Sequence, residues 1–342
     1  MTRWLPQRRG GVSTMRKFAA IAAVAISAAL PTTSYAWWDS GHMRVAAIAY
    51  EQLSPQAKAE ASRLLKLNPK YGEWAAAVPA KPDGTPGDVD QYVFIRAAVW
   101  ADDIKTYKDY TRDNDTATGP YAARNVGYSD KLVHDYWHYK DIPFSTDGST
   151  WPPQDPVNAE TQIKLFSAAL PVSAGKSDDI RSYDLSWLIH LIGDVHQPLH
   201  STAYFNKALH KMWQDRGKPD LGDRGGNEIT VVPADGKETK LHFYWDGIFG
   251  GYSTPLGAIA DNGADKIPAP ADAFAKELDP AQWLEESHDL ALQFAYSAPV
   301  ALDPTQPVML TREYETNARK VAEAQISLAG YRLANLLNDA FK

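Results

Sequence analysis

The most constraining feature of this sequence is an apolar segment, Tyr183 to His196, that also contains ionisable side chains. A helix with apolar residues on nearly every face must be buried. His190 and Asp194 are four residues apart, so a helix places both on one face. Pro198 should end this helix and redirect His200. Because a buried carboxylate beside an imidazole is costly unless it is paired or bound to a cation, the segment predicts either a structural His–Asp pair or a metal site.

Apolar residues at helical spacing recur through most of the chain. Residues 41–67 carry them, and Pro55 should divide this stretch into two helices, with Ser54 as the cap of the second. Residues 280–297 and 308–340 show the same periodicity. We therefore predict an all-α fold in which helices pack around a cleft.

Two polar regions interrupt the helices. Residues 201–240 are rich in Gly, Asp and Lys, with a short hairpin predicted around 228–241, and residues 251–279 are rich in Gly, Ala and Pro. Candidate site residues lie on both sides of the first region. We therefore interpret both regions as long loops over one domain rather than as linkers between domains.

The start of the chain has the pattern of a secretory signal peptide. A basic segment begins at Met15, which offers an alternative start, and an apolar run of 13 residues covers 18–30. That run is too short to span a bilayer, and the small residues of 34–36 complete a cleavage site. We predict cleavage between Ala36 and Trp37, a signal peptide over 1–36, one catalytic domain over 37–342, and a periplasmic or secreted protein without stable membrane association.

Charge and cysteine content limit the kinds of site and substrate that this protein can have. The chain has no Cys, which excludes disulfides, Cys-type zinc sites, iron–sulfur clusters and thiol nucleophiles. Residues 1–36 contain five basic side chains and no acidic ones, so their removal changes the net charge from −7 to −12. Such a chain should repel polyanions, and acting on phosphate esters would require bound cations to supply local positive charge.

Histidines and aspartates recur in patterns that suit a metal site. His242 and Asp246 form a second pair at spacing four, and His138 lies among aromatic residues. Asp102 follows a short apolar stretch, and His42 comes shortly after the predicted cleavage point. Imidazole nitrogens and carboxylate oxygens are ligands that zinc accepts. With His190, Asp194 and His200, the set is too large for one tetrahedral site and indicates two or three ions.

Several motifs occur in an order that is specific as a set. They are Trp37-Trp38-Asp39-Ser40-Gly41-His42, Trp100-Ala101-Asp102, His138-Tyr139, the segment His190 to His200, Gly225-Gly226-Asn227, His242-x-x-x-Asp246 and Ala329-Gly330-Tyr331-Arg332-Leu333-Ala334. Across nearly the whole mature chain this set resembles the exported zinc-dependent single-strand nucleases and 3′-nucleotidases of the S-one and P-one type. Bacterial zinc phospholipase C enzymes share the helical fold of that family, so the resemblance implies a single-domain helical fold.

The resemblance implies three zinc ions (Zn2+) and a set of ligands. One ion would be held by Trp37, His42 and Asp194, a second by Asp102, His138, His190 and Asp194, and a third by His200, His242 and Asp246. Trp37 would bind through its free α-amine and its carbonyl. An α-amine has a pKa of about 7.7–8.0, so it can give its lone pair to zinc near neutral pH, and cleavage after Ala36 would create this amine.

The resemblance also implies the activity and its substrate contacts. Single-stranded DNA or RNA would be hydrolysed to 5′-nucleotides, and 3′-nucleotides would lose their phosphate. Asp194 would bridge two ions in the catalytic centre, and Lys105 stands where the family usually has a phosphate-binding Arg. Tyr139 would stack on a base, which must be unpaired to stack, and Asp141 and Asn227 would contact that base.

Alternatives remain open at this point. Tyr139, Asp141 and Asn227 could instead be a packed wall residue, a cap and a turn residue. A zinc phospholipase C is the second enzyme hypothesis, but Asp246 as the last ligand and the five-residue step from Trp37 to His42 favour the nuclease. A zinc-binding protein without turnover is the non-enzyme hypothesis. We expect a monomer and infer no protein partner.

The other histidines are predicted to lie outside the ligand set. His196 is interpreted as structural or supporting, and His210 as solvated in the long loop. His134 and His288 have no partner that the sequence identifies.

Overall fold

Helices account for most of the regular structure in the computed structural model, which describes residues 37–81, 83–113, 117–251, 254–264, 267–303 and 305–342. The predicted signal peptide, residues 1–36, lies outside the described residues. The α-helices are α1 (Asp39–Gln52), α2 (Pro55–Leu65), α3 (Tyr71–Ala76), α4 (Val89–Ala97), α5 (Trp100–Asp103), α6 (Ala159–Ala169), α7 (Asp178–Asp194), α8 (Lys207–Asp215), α9 (Leu241–Asp246), α10 (Pro255–Ala264), α11 (Asp272–Ala275), α12 (Pro280–Leu290) and α13 (Arg312–Ala340). The all-α prediction is confirmed. No helix within the described ranges combines the length and the apolar character that crossing a membrane requires.

Short 3-10 segments and strands connect these helices. The 3-10 helices are Ile104–Thr106, Gly127–Ser129, Asp135–Trp137, Val172–Ala174 and Pro198–Ser201, and Ala291–Ala295 forms a π-helix. The strands are β1 (Pro143–Phe144), β2 (Ala203–Tyr204), β3 (Thr230–Val232), β4 (Thr239–Lys240) and β5 (Val308–Met309). β1 pairs with β2 in parallel, and β3 lies between an antiparallel β4 and a parallel β5. The predicted hairpin is therefore present as β3 and β4.

Helix α7 occupies the centre of the fold, as its composition predicts. Ser177 caps its first turn by accepting a hydrogen bond from the Ile180 N–H, and every residue from Arg181 to Asp194 is buried. The helix ends at Asp194, and the chain turns into the 3-10 helix that begins at Pro198. Because α1, α2, α5, α6 and α13 all pack against it, side chains on several faces of α7 meet residues from distant parts of the sequence.

The division at Pro55 is also confirmed. Helix α1 ends at Gln52, α2 begins at Pro55, and the Ser54 hydroxyl accepts a hydrogen bond from the Ala57 N–H at 3.1 Å. This is the side-chain capping that Ser provides at a helix N-terminus.

Three predicted boundaries were wrong in detail. The predicted helix over 308–340 begins at Arg312, because Val308 and Met309 pair with β3 and Thr311 then caps α13. The predicted helix over 280–297 is α-helical only to Leu290. The regions predicted as loops contain α8, α10 and α11. Helix α8 forms because Asn206 caps it while Leu209 and Trp213 bury its apolar face.

Close packing of α13 on α1 depends on Gly330. A Cβ at this position would lie 2.5 Å from Ile48 Cγ2 and 3.0 Å from the Val45 carbonyl oxygen. Those distances leave no room for a methyl group between the two helices.

Gly330→Ala should therefore lower the free energy of unfolding by about 1–2 kcal/mol, since overpacking outweighs the better helix propensity of Ala. Gly72→Ala is the matched control, because Gly72 lies in helix α3 with open space around its missing Cβ. Urea denaturation would measure both variants. Unchanged or increased stability of Gly330→Ala would contradict this packing constraint.

Asp184 on α7 gives the fold a measurable pH dependence. It is fully buried, and burial raises the pKa of its carboxyl to about 8, although Asn125 donates a hydrogen bond to it at 2.9 Å. The native chain therefore keeps a proton that the unfolded chain loses near its ordinary pKa of 3.8. Stability should fall as pH rises between these two values, because the native state binds the extra proton there.

Asp184→Asn has no carboxyl group to titrate at this position, so its stability relative to the wild type should increase steadily from pH 5 to pH 8. Asp178→Asn, on the exposed first turn of the same helix, should show no such trend. Thermal melts of the three proteins across this range would test the expectation. A constant difference between Asp184→Asn and the wild type would show that Asp184 is already ionised at pH 5.

Candidate metal centre

Three groups of buried His and Asp side chains lie inside the helical body. In each group the candidate ligand atoms lie within 4.8 Å of one another. The groups are His42 with His190 and Asp194, Asp102 with His138 and His190, and His200 with His242 and Asp246. The structure thus brings together all eight His and Asp side chains of the predicted ligand set, and His190 belongs to two groups.

Distant elements supply these side chains. The ligand candidates lie on α1 (His42), α5 (Asp102), the end of the 3-10 helix Asp135–Trp137 (His138), α7 (His190 and Asp194), the 3-10 helix Pro198–Ser201 (His200) and α9 (His242 and Asp246). The two pairs at spacing four are both helical, so each pair shares one helix face as predicted.

The group of His200, His242 and Asp246 has a hydrogen-bonding pattern that requires a cation or a proton. His200 donates its Nδ1–H to the His138 carbonyl oxygen at 2.9 Å, and His242 donates its Nδ1–H to the Gly225 carbonyl oxygen at 2.7 Å. A carbonyl oxygen only accepts, so both neutral rings carry their lone pair on Nε2. These two Nε2 atoms are nevertheless 3.1 Å apart, and Asp246 Oδ2 lies 3.5 Å from His242 Nε2.

Acceptors that face one another at such distances repel unless a positive charge lies among them. Asp246 Oδ2 is buried and accepts no hydrogen bond within the described chain. Burial lowers the pKa of His200 and of His242, so protonation of either ring is disfavoured. Burial also raises the pKa of Asp246 well above its usual range, so its carboxylate needs a proton or a bound cation. Because metal-bound histidines usually donate their other ring N–H to a carbonyl, this donor set fits zinc.

Asp194 is surrounded by three imidazoles. Its Oδ1 lies 3.2 Å from His42 Nε2, while its Oδ2 lies 2.9 Å from His138 Nδ1 and 3.2 Å from His190 Nε2. His190 donates its Nδ1–H to the Ala98 carbonyl oxygen at 2.6 Å, which turns its Nε2 toward Asp194. The two carboxylate oxygens therefore face different imidazoles, as a carboxylate between two ions would.

Two of the three imidazoles around Asp194, and its own carboxylate, have the protonation states that metal binding requires. Burial lowers the pKa of His42 and of His138 to about 4, which keeps both rings neutral near pH 7. Burial alone would raise the pKa of Asp194, but His190 and the other two imidazoles hold it well below its usual range. Burial would lower the pKa of His190 as well, but the Asp194 and Asp102 carboxylates outweigh it and raise that pKa. Because zinc binds neutral imidazoles and ionised carboxylates, zinc binding would displace a proton from His190.

Trp37 is anchored beside this centre. Its side chain is fully buried, its Nε1–H donates to the Gly193 carbonyl oxygen at 3.1 Å, and its ring packs on Phe249. Trp37 is therefore a packed residue and not an exposed aromatic at a frayed terminus. Gly193 also admits the neighbouring imidazole, because a Cβ there would lie 2.8 Å from His42 Nδ1.

Lys105 points into the site. Its Nζ lies 2.6 Å from Asp102 Oδ1, and both side chains are almost fully buried. Burial would lower the pKa of Lys105, but the Asp102 carboxylate outweighs it and raises the pKa. Lys105 therefore brings a permanent positive charge next to one of the candidate ligands.

The predicted base contacts lie on two segments that reach the group of His200, His242 and Asp246 through backbone hydrogen bonds. The Lys140 N–H donates to the His200 carbonyl oxygen, and the His242 N–H donates to the Gly226 carbonyl oxygen. Tyr139 directly follows His138 and is partly buried against the main core. Burial and the nearby Asp223 carboxylate raise the pKa of Asp141 to about 7. Asn227 donates a 2.7 Å hydrogen bond to the Arg224 carbonyl oxygen, which is the turn contact considered above. Contacts from these three side chains to a base stay a prediction.

The remaining histidines lie outside the three groups. His196 is buried, donating to the Ile192 carbonyl and accepting from Arg332, and His210 is exposed on α8. His134 lies between two carboxylates that sequence reasoning missed, Asp113 and Asp130. The spacing of four between Asp130 and His134 was visible in the sequence, but the loop that supplies Asp113 was not. His288 is half-buried near Phe144.

The fold and the site together define a helical protein whose interior holds three groups of metal-ligating side chains. Comparison with known proteins gives the family. Residues 37–342 match the profile of the S1/P1 Nuclease family, and the chain belongs to this family.

Similar proteins include two from Arabidopsis thaliana. Endonuclease 5 is 30% identical and Endonuclease 4 is 27% identical, each over 195 residues that cover 52% of this chain. The match spans 58% of the length of these plant proteins. Nuclease S1 of Aspergillus oryzae is 25% identical over 333 residues, which cover 92% of this chain and 95% of that protein.

Zinc should raise the melting temperature of the metal-stripped protein, because a cation relieves the repulsion between facing acceptors. A site at a zinc concentration 100 times its Kd contributes about 2.7 kcal/mol. Magnesium should have a much smaller effect, since it prefers oxygen ligands to imidazole. Scanning calorimetry with each metal tests this, and an unchanged melting temperature with zinc would contradict a metal centre.

Proposed function

We propose that this protein is an exported, zinc-dependent hydrolase of phosphodiester bonds. It cleaves single-stranded DNA and RNA to 5′-nucleotides as an endonuclease and removes phosphate from 3′-nucleotides. The observation that carries the proposal is the convergence of eight buried His and Asp side chains, with Asp194 Oδ1 facing His42 and its Oδ2 facing His138 and His190. Membership of the S1/P1 Nuclease family supports it.

The proposal assigns nine residues to three zinc ions. Trp37, His42 and Asp194 hold one ion, Asp102, His138, His190 and Asp194 hold a second, and His200, His242 and Asp246 hold the third. When bound, the ions polarise the phosphate and supply an activated water. Burial keeps His42 and His138 neutral, and the Asp194 carboxylate is already held among its three imidazole neighbours.

Other side chains orient the substrate in this proposal. Lys105 keeps its positive charge beside Asp102 and attracts the phosphate. Unlike Arg, it offers no bidentate fork, so the phosphate is held by charge more than by direction. Tyr139 stacks on an unpaired base, with Asp141 and Asn227 at its edge, and stacking explains a preference for single strands.

Export follows from the same proposal. The family match begins at Trp37, the residue after the predicted cleavage site. Trp37 is buried, and its indole Nε1–H donates to the carbonyl oxygen of Gly193, the residue before Asp194. Cleavage after Ala36 would give the free amine that zinc binding at Trp37 needs, in the periplasm or outside the cell.

One assay separates the proposed nuclease from its alternatives. The zinc-loaded protein is incubated with single-stranded DNA, single-stranded RNA, a 3′-nucleotide or phosphatidylcholine, with and without a chelator. Chelator-sensitive release of acid-soluble nucleotides supports the nuclease. Cleavage of phosphatidylcholine alone would support a phospholipase C, and tight zinc binding without turnover would support a zinc-binding protein.

Asp194→Asn should retain about one of the three zinc ions, since the amide cannot bridge two cations. Activity on single-stranded DNA should fall by more than about 10³-fold, which exceeds the loss of a single electrostatic contact. Asp178→Asn is the matched control, because Asp178 lies on the same helix but is exposed and pairs with Arg63. Zinc analysis and nuclease assays measure both variants, and full activity of Asp194→Asn would contradict the bridging role.

One extra residue before Trp37 should remove about one zinc ion per chain, because an amide nitrogen then replaces the amine. Activity should fall while the melting temperature of the metal-stripped protein stays unchanged. A chain that begins at Trp37 and has the same residue added after Lys342 is the control. Equal zinc content in the two chains would show that the α-amine is not a ligand.

A further inference from the structure

Gln197 lies in the turn that joins two of the candidate metal groups. It is fully buried between Asp194, at the end of α7, and His200. Its backbone N–H donates to the Asp194 carbonyl oxygen at 2.9 Å, and its carbonyl oxygen accepts from the His200 N–H at 2.9 Å. The backbone of Gln197 therefore sets the path of the chain from the bridging carboxylate to the third group.

The side chain of Gln197 has only one arrangement that satisfies both of its ends. The Leu199 N–H donates to Gln197 Oε1 at 2.6 Å, which identifies that end of the amide as the oxygen. The other end is therefore the NH2 group, and it donates to Asp246 Oδ1 at 2.7 Å. Within the described chain, this is the only hydrogen bond that the Asp246 carboxylate accepts.

The hydrogen bond from Gln197 gives the two carboxylate oxygens of Asp246 different contacts. Oδ1 is held by Gln197, and Oδ2 is left facing His242 Nε2 at 3.5 Å. Without the amide donor, the carboxylate could rotate about its Cβ–Cγ bond and present either oxygen. Removing the amide would also take away the one hydrogen-bond donor of the buried Asp246 carboxylate, which raises the cost of keeping that carboxylate ionised in the interior.

We propose that Gln197 is the positioning residue of the third zinc site, because it holds Asp246 Oδ1 and thereby aims Oδ2 at the ion shared with His200 and His242. The inference rests on the proposed function, since it requires an ion in the third group. Groups that orient metal ligands typically change metal affinity by about 10–100-fold when they are removed.

A matched control lies in the same region. Gln325 on α13 is also buried, and its Nε2 donates to the His196 carbonyl oxygen at 3.2 Å and to Ser287 Oγ at 3.3 Å. It therefore hydrogen-bonds to His196, the residue before Gln197, and neither of these two hydrogen bonds goes to a proposed ligand. If Gln197 only stabilised the turn, the same substitution at either position should have similar effects.

The test compares Gln197→Met and Gln325→Met, which keep the length of the side chain but remove the amide. The zinc-loaded proteins are equilibrated with a competing chelator over a range of concentrations, and the zinc that stays bound is counted. Gln197→Met should lose one ion at about 10–100-fold lower chelator concentration than the wild type and keep the other two normally. Gln325→Met should lose all three ions as the wild type does.

Two results would overturn the inference. One is retention of the third ion by Gln197→Met with wild-type affinity, and the other is an equal loss in Gln325→Met. If Gln197→Met does not fold, as judged by a lost thermal transition, Gln197→Ala takes its place in the same comparison. A wild-type chain that holds fewer than three ions would instead refute the three-ion function, so the two failures are distinguishable.

Discussion

A carboxylate buried among three imidazoles is the interaction on which the rest of this structure depends. Asp194 is fully buried, and His42, His138 and His190 all lie within 3.2 Å of its oxygens. Three further acceptors converge nearby in the group of His200, His242 and Asp246. Such a concentration of lone pairs and negative charge in an interior is stable only with compensating positive charge, which three zinc ions would supply.

The fold is arranged around this requirement. Helix α7 must be apolar on all sides to occupy the centre, and it must end at Asp194 so that the next turn can place Gln197 and His200. Gly193 lets His42 approach α7 closely. Gly225 adopts a positive φ of 61°, and its carbonyl oxygen holds the His242 ring. Bound cations would also give an acidic chain a local positive region where a polyanion can bind.

Much of the fold and of the candidate ligand set could be predicted from the sequence. The apolar pattern and Pro198 predicted α7 and its end, and Ser54 with Pro55 predicted the break between α1 and α2. The spacing of four in two His/Asp pairs and the ordered motifs predicted which side chains would converge. What the sequence did not reveal depends on tertiary contacts. Strand β5 exists because β3 is beside it, and Gln197 has its role because α9 brings Asp246 within 2.7 Å of its amide.

The number and location of bound ions test the central claim most directly. Crystals of the protein with Trp37 as its first residue, measured on both sides of the zinc absorption edge, should show three anomalous peaks per chain. Two should flank the Asp194 carboxylate, one of them next to the Trp37 amine, and the third should lie between His200, His242 and Asp246. Fewer than two peaks, or zinc bound only at surface residues, would contradict a catalytic zinc centre in this fold.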